Sequence, residues 1–178
     1  MVTTGSVFLV LAAFLASAVE MVEALTIVLA LGVTRGWRST NIGVVVALLA
    51  LAIVTAILGP AITLIPIDAV RIIVGTLLLI FGLQWLRKAI LRASGFKALH
   101  DEDATYRKEV EAARQAGMVT RAGMDWYAFT LSFKGVFLEG LEVVFIVLTF
   151  GLTQGSIPLA ATGAAIAIVL VGIVGVAI

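Results

Sequence analysis

From Ile42 to Ile65 no side chain carries a charge, and the same is true from Ile157 to Ile178. Either run exceeds the roughly 18 to 20 apolar residues that take an α-helix across a hydrocarbon layer about 30 Å thick. Helices on a water-soluble domain need a polar face, which these runs lack. In lipid the backbone must satisfy its own hydrogen bonds, so the runs are predicted to be transmembrane helices. Three further segments are similar: Val7 to Val33, Ala69 to Leu86 and Ala128 to Gly151. With 62% hydrophobic and 13% charged residues, against roughly 45–50% and 25% in soluble domains, the chain reads as an all-α integral membrane protein. The first segment runs on through Glu20 and Glu23 without a basic leader or a small-residue cleavage site, as a retained helix rather than a signal peptide does. Cysteine is absent, which excludes disulfides, zinc–thiolate sites and a cysteine nucleophile.

Ten of the twelve Lys and Arg residues lie in two places: the first connection (Arg35, Arg38) and the hydrophilic stretch between the third and fourth segments (Arg87, Lys88, Arg92, Lys97, Arg107, Lys108, Arg114, Arg121). Successive crossings put both connections on one side, which the positive-inside rule makes cytoplasmic, with Met1 outside, in a multi-pass plasma-membrane protein. Trp37, Trp85, Trp126 and Tyr127 fall at the same helix ends, as an interfacial aromatic belt would. The long connection is expected to be partly helical, with Asp101 to Asp103 favouring a helix start and Gly117 a stop. His100 beside those acids reads as a solvated helix start, because one histidine with adjacent carboxylates defines no metal geometry. A net charge of +1 distributed in this way gives nucleic acid binding no support. The partners implied are the bilayer, a small cation, and either further copies of the chain or another membrane protein.

An internal repeat organises the chain. Shifting residues 17–37 by 119 positions matches Glu20 with Glu139, Glu23 with Glu142, Ile27 with Ile146, Val28 with Val147 and Leu29 with Leu148. Gly32, Thr34 and Gly36 then match Gly151, Thr153 and Gly155, and Gly43 matches Gly163 after a one-residue gap. Three crossings precede the second copy, so the copies enter the membrane from opposite sides and form an inverted-topology repeat. The expected units are residues 1–91 (helices one to three), a connection at 92–127, and 128–178 (helices four and five). The third helix has no second copy before Ile178, and a complete repeat calls for a sixth crossing that this chain lacks.

Glu20 and Glu139 fall at the middle of their segments, where an unpartnered acid costs roughly 2.5–3.5 kcal/mol on insertion scales. The i,i+3 spacing sets the two carboxylates of each pair on one helix face. Inverted copies can bring both faces together at the midplane. Glutamates that only join helices would not need the same costly pair twice. With neither Cys nor intramembrane His, carboxylate oxygens are the available ligands, and they suit hard cations such as iron, manganese, calcium or magnesium. Glu20, Glu23, Glu139 and Glu142 are therefore the expected metal ligands of a secondary transporter, not an enzyme. The metal is its substrate and no resident cofactor is expected. An empty site should hold protons that an entering metal displaces.

Two other readings compete. A lipid-pyrophosphate phosphatase would need a nucleophile or an arginine clamp at membrane depth, and Ser17 has no evident base. A non-transporting subunit of a larger complex makes no such demand. Lys134 reads as a snorkelling cation, Asp68 with Arg71 as a surface pair, Gly59-Pro60 as a kink, and Thr26 as a possible hydroxyl ligand.

The segment Leu138-Glu139-Gly140-Leu141-Glu142 resembles the Arg-Glu-Gly-Leu-Glu signature of the oxidase-dependent iron permeases, and Val19-Glu20-Met21-Val22-Glu23 is its degenerate counterpart. Val19 and Leu138 stand where that family has arginine. The resemblance implies one motif in each half, on the first and fourth helices, an outside N-terminus, and motif glutamates that serve iron passage.

The topology predicts that a Glu102→Cys variant in intact cells resists a membrane-impermeant thiol reagent and reacts once the cells are opened. Labelling in intact cells would place the connection outside.

Overall fold

The computed structural model describes residues 4–63, 67–95, 102–117, 120, 121 and 123–177, with the backbone alone for 58–63, 67–71, 102 and several further positions of the third helix. Six helices follow in order: α1 (Thr4–Arg35), α2 (Trp37–Thr63), α3 (Ile67–Ala93), α4 (Glu102–Gln115), α5 (Trp126–Thr153) and α6 (Ile157–Ala177). Between α4 and α5 the strands β1 (Thr120–Arg121) and β2 (Met124–Asp125) form a minimal antiparallel hairpin that the sequence did not suggest. Among the described residues, α1, α2 as far as Ile57, α5 and α6 are long and apolar enough to cross a membrane. The five apolar segments all become helices, extended at several ends into polar flanks that hydropathy excludes, such as Arg38 to Asn41 in the first turn of α2. Gly59 and Pro60 lie within α2, but their surroundings, like the side chains of Asp68, Arg71, Trp85 and the His100 to Glu102 stretch, lie outside the described residues.

Burial runs opposite to a soluble core. Ala13, Ala30, Ala47, Ala128, Ala160 and Ala167 are fully buried, whereas Leu49, Ile53, Ile57, Val169 and Ile173 are exposed. Lipid tails are as apolar as leucine, so close backbone approach drives helix association in a bilayer, and small residues permit that approach. α1 packs most extensively on α6 and α5, and α2 on α5.

Two close crossings are the same crossing used twice. Gly43 of α2 sits on Phe129, Ser132 and Phe133 of α5, and Gly163 of α6 sits on Val10, Ala13 and Phe14 of α1. The second set is the first displaced by 119 positions in the long helix. The turns correspond as well. Gly36 follows α1 with φ 107° and Gly155 follows α5 with φ 70°, a left-handed conformation that glycine enters without a Cβ penalty. Gly32 packs on Trp37, and Gly151 on Ile157. Thr34 donates to the Ala30 carbonyl at 2.5 Å, and Thr153 to the Thr149 carbonyl at 2.7 Å. Ser156 is the extra residue, absorbed in the second turn, where its N–H reaches the Gly151 carbonyl at 2.7 Å.

A Cβ at Gly43 or Gly163 would collide with main-chain oxygen of the facing helix, which cannot move aside as a side chain can. Gly43→Val and Gly163→Val should each destabilise the protein by at least about 1–3 kcal/mol, the usual cost of overpacking. Gly172→Val, where a new Cβ meets nothing within 4 Å, should be near neutral. Thermal unfolding in detergent checks the contrast, and equal midpoints for the three variants would refute the crossing geometry.

Candidate metal centre

α1 and α5 run antiparallel and cross at their glutamates. At one end Arg35 meets Asp125 and Tyr127, nearer the middle Ile27 packs on Gly135, and at the crossing a carboxylate oxygen of Glu20 lies within 4.8 Å of one of Glu139. Glu20 is buried, at 6% exposure, while Glu23 and Glu139 are half-buried. One carboxylate oxygen from each of the three lies within 4.8 Å of the others. A hard cation bound at about 2.0–2.6 Å from each oxygen spans such a group. Three carboxylates this close repel one another, and a bound cation offsets that repulsion.

Three of the four expected ligands converge within 4.8 Å, and the fourth lies just outside them, close enough to be the leading charge acting on Glu20 and Glu139. Glu142 is exposed and lies outside that group. With Glu20 it lines a cavity of about 440 Å³ formed by α1, α5 and Gly82 of α3, which also includes Ala16, Ile146 and Thr149. The cavity occupies the N-terminal half of α1 and the C-terminal half of α5, on the side away from Arg35. Its walls are apolar apart from the two carboxylates and a threonine. Thr26 supplies no free hydroxyl, because it donates to the Val22 carbonyl at 2.9 Å. Lys134 is exposed. Ser17, one helical turn before Glu20, is fully buried, and its Oγ has no hydrogen-bond partner among the described residues. Such a hydroxyl is costly to leave unpaired.

The register of α1 against α5 is held at the Arg35 end. Arg35 Nε lies 2.8 Å from Asp125 Oδ2, with the two side chains only 5% and 10% exposed. One guanidinium nitrogen reaches the carbonyls of Ala113 and Ala116 at 3.1 and 2.7 Å, and the other reaches the Gly117 carbonyl and Asp125 Oδ1 at 3.1 and 3.2 Å. The plane stacks over Tyr127, 4.9 Å from the ring centre. Arg35 thereby caps the C-terminus of α4, where free carbonyls attract a cation. Asp125 is the N-cap of α5, accepting from the Tyr127 and Ala128 N–H groups at 3.0 and 3.2 Å. Its own N–H donates to Ser39 Oγ at 2.9 Å. Sequence reasoning missed this clamp. An aspartate directly before an apolar helix is a helix-start signal, but nothing local points it at Arg35.

No protein-family model matches the chain, and neither does any curated protein or any solved structure. The site is read from its own geometry.

Burial pushes the Asp125 carboxyl up, but the hydrogen bonds and charge of Arg35 and the two N-terminal amides outweigh it and hold the group below its ordinary value. A group lowered on folding binds fewer protons folded than unfolded, so its contribution is full above the unfolded value of about 3.9 and fades as pH falls through the folded one. Asp125→Asn keeps the cap but removes the charge, and should cost about 3–5 kcal/mol at neutral pH, the usual result of stranding one partner of a buried pair. Denaturation of both proteins between neutral pH and pH 2 checks this, since the gap should narrow with acid. A constant gap would exclude the ion pair as its source.

Proposed function

We propose that the protein is a multi-pass membrane transporter for a hard metal cation, held at the crossing of two inverted repeats by Glu20, Glu23 and Glu139. The observation that carries the reading is the convergence of three carboxylates from two antiparallel helices within 4.8 Å of one another, at a depth where each is expensive unless it serves a ligand. The recurrence of the Gly43 crossing at Gly163 and of the Gly36 turn at Gly155 supports the repeat. So does the antiparallel course of the motif helices. An all-oxygen donor set favours iron or manganese over a soft metal, and the resemblance of residues 138–142 to the iron permease signature agrees. Charge balance at the site makes metal entry an exchange against protons. The Arg35 end faces the cytoplasm, on the evidence of its basic flanks.

Purified protein in nanodiscs should bind Mn²⁺, detected by loss of the free-ion electron paramagnetic resonance signal, and release protons as it does so. Glu20→Gln and Glu139→Gln should each weaken binding by about 10- to 100-fold, as expected on losing a charged partner worth roughly 1.5–3 kcal/mol, and abolish Mn²⁺ flux into proteoliposomes. Unchanged affinity in both variants would reduce the glutamates to links between helices.

A further inference from the structure

The pairing of Glu20 with Glu139 and of Glu23 with Glu142 makes the surroundings of the two halves comparable residue by residue, and at one level they differ. Ile27 packs against Gly135. The residues 119 positions away from that contact are Ile146 and Ala16, and both line the cavity. The pair in contact beyond Glu23 thus has its counterpart in the cavity wall beyond Glu142. The carboxylates divide in the same way. Glu23 belongs to the three-oxygen group, whereas its counterpart Glu142 stands in the cavity.

Depth gives this asymmetry a direction. Glu23 lies three residues beyond Glu20 toward Arg35, about 4.5 Å at 1.5 Å per residue. Glu142 lies as far beyond Glu139 on the antiparallel helix, toward the opposite end. On Glu23's side Ile27 packs on Gly135 and, farther along, Arg35 pairs with Asp125. On Glu142's side lies the cavity.

Resting on the transporter reading, we infer that Glu23 and Glu142 are alternate third ligands, one for each orientation of the carrier. Glu20 and Glu139, at the crossing point, hold the ion in both. In the conformation described here the ion is completed by Glu23 from the closed side, and Glu142 stands free in the cavity as the first carboxylate an arriving cation meets. In the opposite conformation Ile146 closes on Ala16, Ile27 leaves Gly135, Glu142 enters the group, and Glu23 faces a cavity on the Arg35 side. The exchange needs no new residues, because each position has its counterpart.

The chain has no native cysteine, so single Ile27→Cys and Ile146→Cys variants report each side directly. In nanodiscs, a water-soluble thiol reagent should modify Ile146→Cys at least about tenfold faster than Ile27→Cys. Mn²⁺ affinity should fall clearly less in Glu23→Gln and in Glu142→Gln than in Glu20→Gln and Glu139→Gln. With Mn²⁺ bound, Glu23→Gln should reverse the labelling order, because only the opposite conformation then offers a third carboxylate and a ligand shifts the population toward the state it binds better. Glu142→Gln should keep the original order. Equal reactivity at the two cysteines, or the same order in both glutamine variants, would overturn the alternation. Full Mn²⁺ affinity in Glu20→Gln and Glu139→Gln would instead overturn the metal site itself. Monodispersity of each variant on gel filtration separates these outcomes from misfolding.

Discussion

Carboxylates cannot be left alone in hydrocarbon, and the rest of the architecture is consistent with that constraint. Two helices must meet where their glutamates lie, they must run antiparallel so that one pair from each reaches the same depth, and they must hold that register. The tight crossings at Gly43 and Gly163 supply one part of the restraint, since each flanking helix is pressed against the backbone of a motif helix. The Arg35–Asp125 pair supplies another at the end of the bundle. Neither touches the glutamates, yet a shift of one helical turn at either would move a carboxylate by about 5.4 Å, more than the span of the cluster.

Much of this was legible in the sequence, and for definite reasons. Hydropathy finds helices in lipid because the backbone has no other way to pair its polar groups there. The repeat was visible because glutamates at midplane are rare enough for two identical pairs to stand out, and because Gly36 and Gly155 do the same conformational task. Gly43 and Gly163 aligned as a bare identity, and the structure shows what it meant: a place where two backbones touch.

What stayed hidden has physical causes too. The i,i+3 rule places Glu139 and Glu142 on one face of α5, but a face is some 100° wide, and the rotation of the helix decides that Glu139 points into the group while Glu142 points past it. Arg35 served in the sequence only as a marker of sidedness, and Asp125 is separated from it by 90 positions, so no local pattern joins them. Apolar composition is equally silent on which face is buried. In a bilayer the alanines and glycines turn inward and the larger aliphatics outward, the reverse of the rule learned from soluble cores.

The hold of Arg35 on the Ala113, Ala116 and Gly117 carbonyls makes α4 more than a passenger of the connecting segment. One guanidinium ends a spanning helix, caps a short polar one and neutralises the start of a third, so the three termini tilt together or part together. α4 is thereby tied to the end of the helix that carries Glu20 and Glu23, and its position bears on the register of that helix.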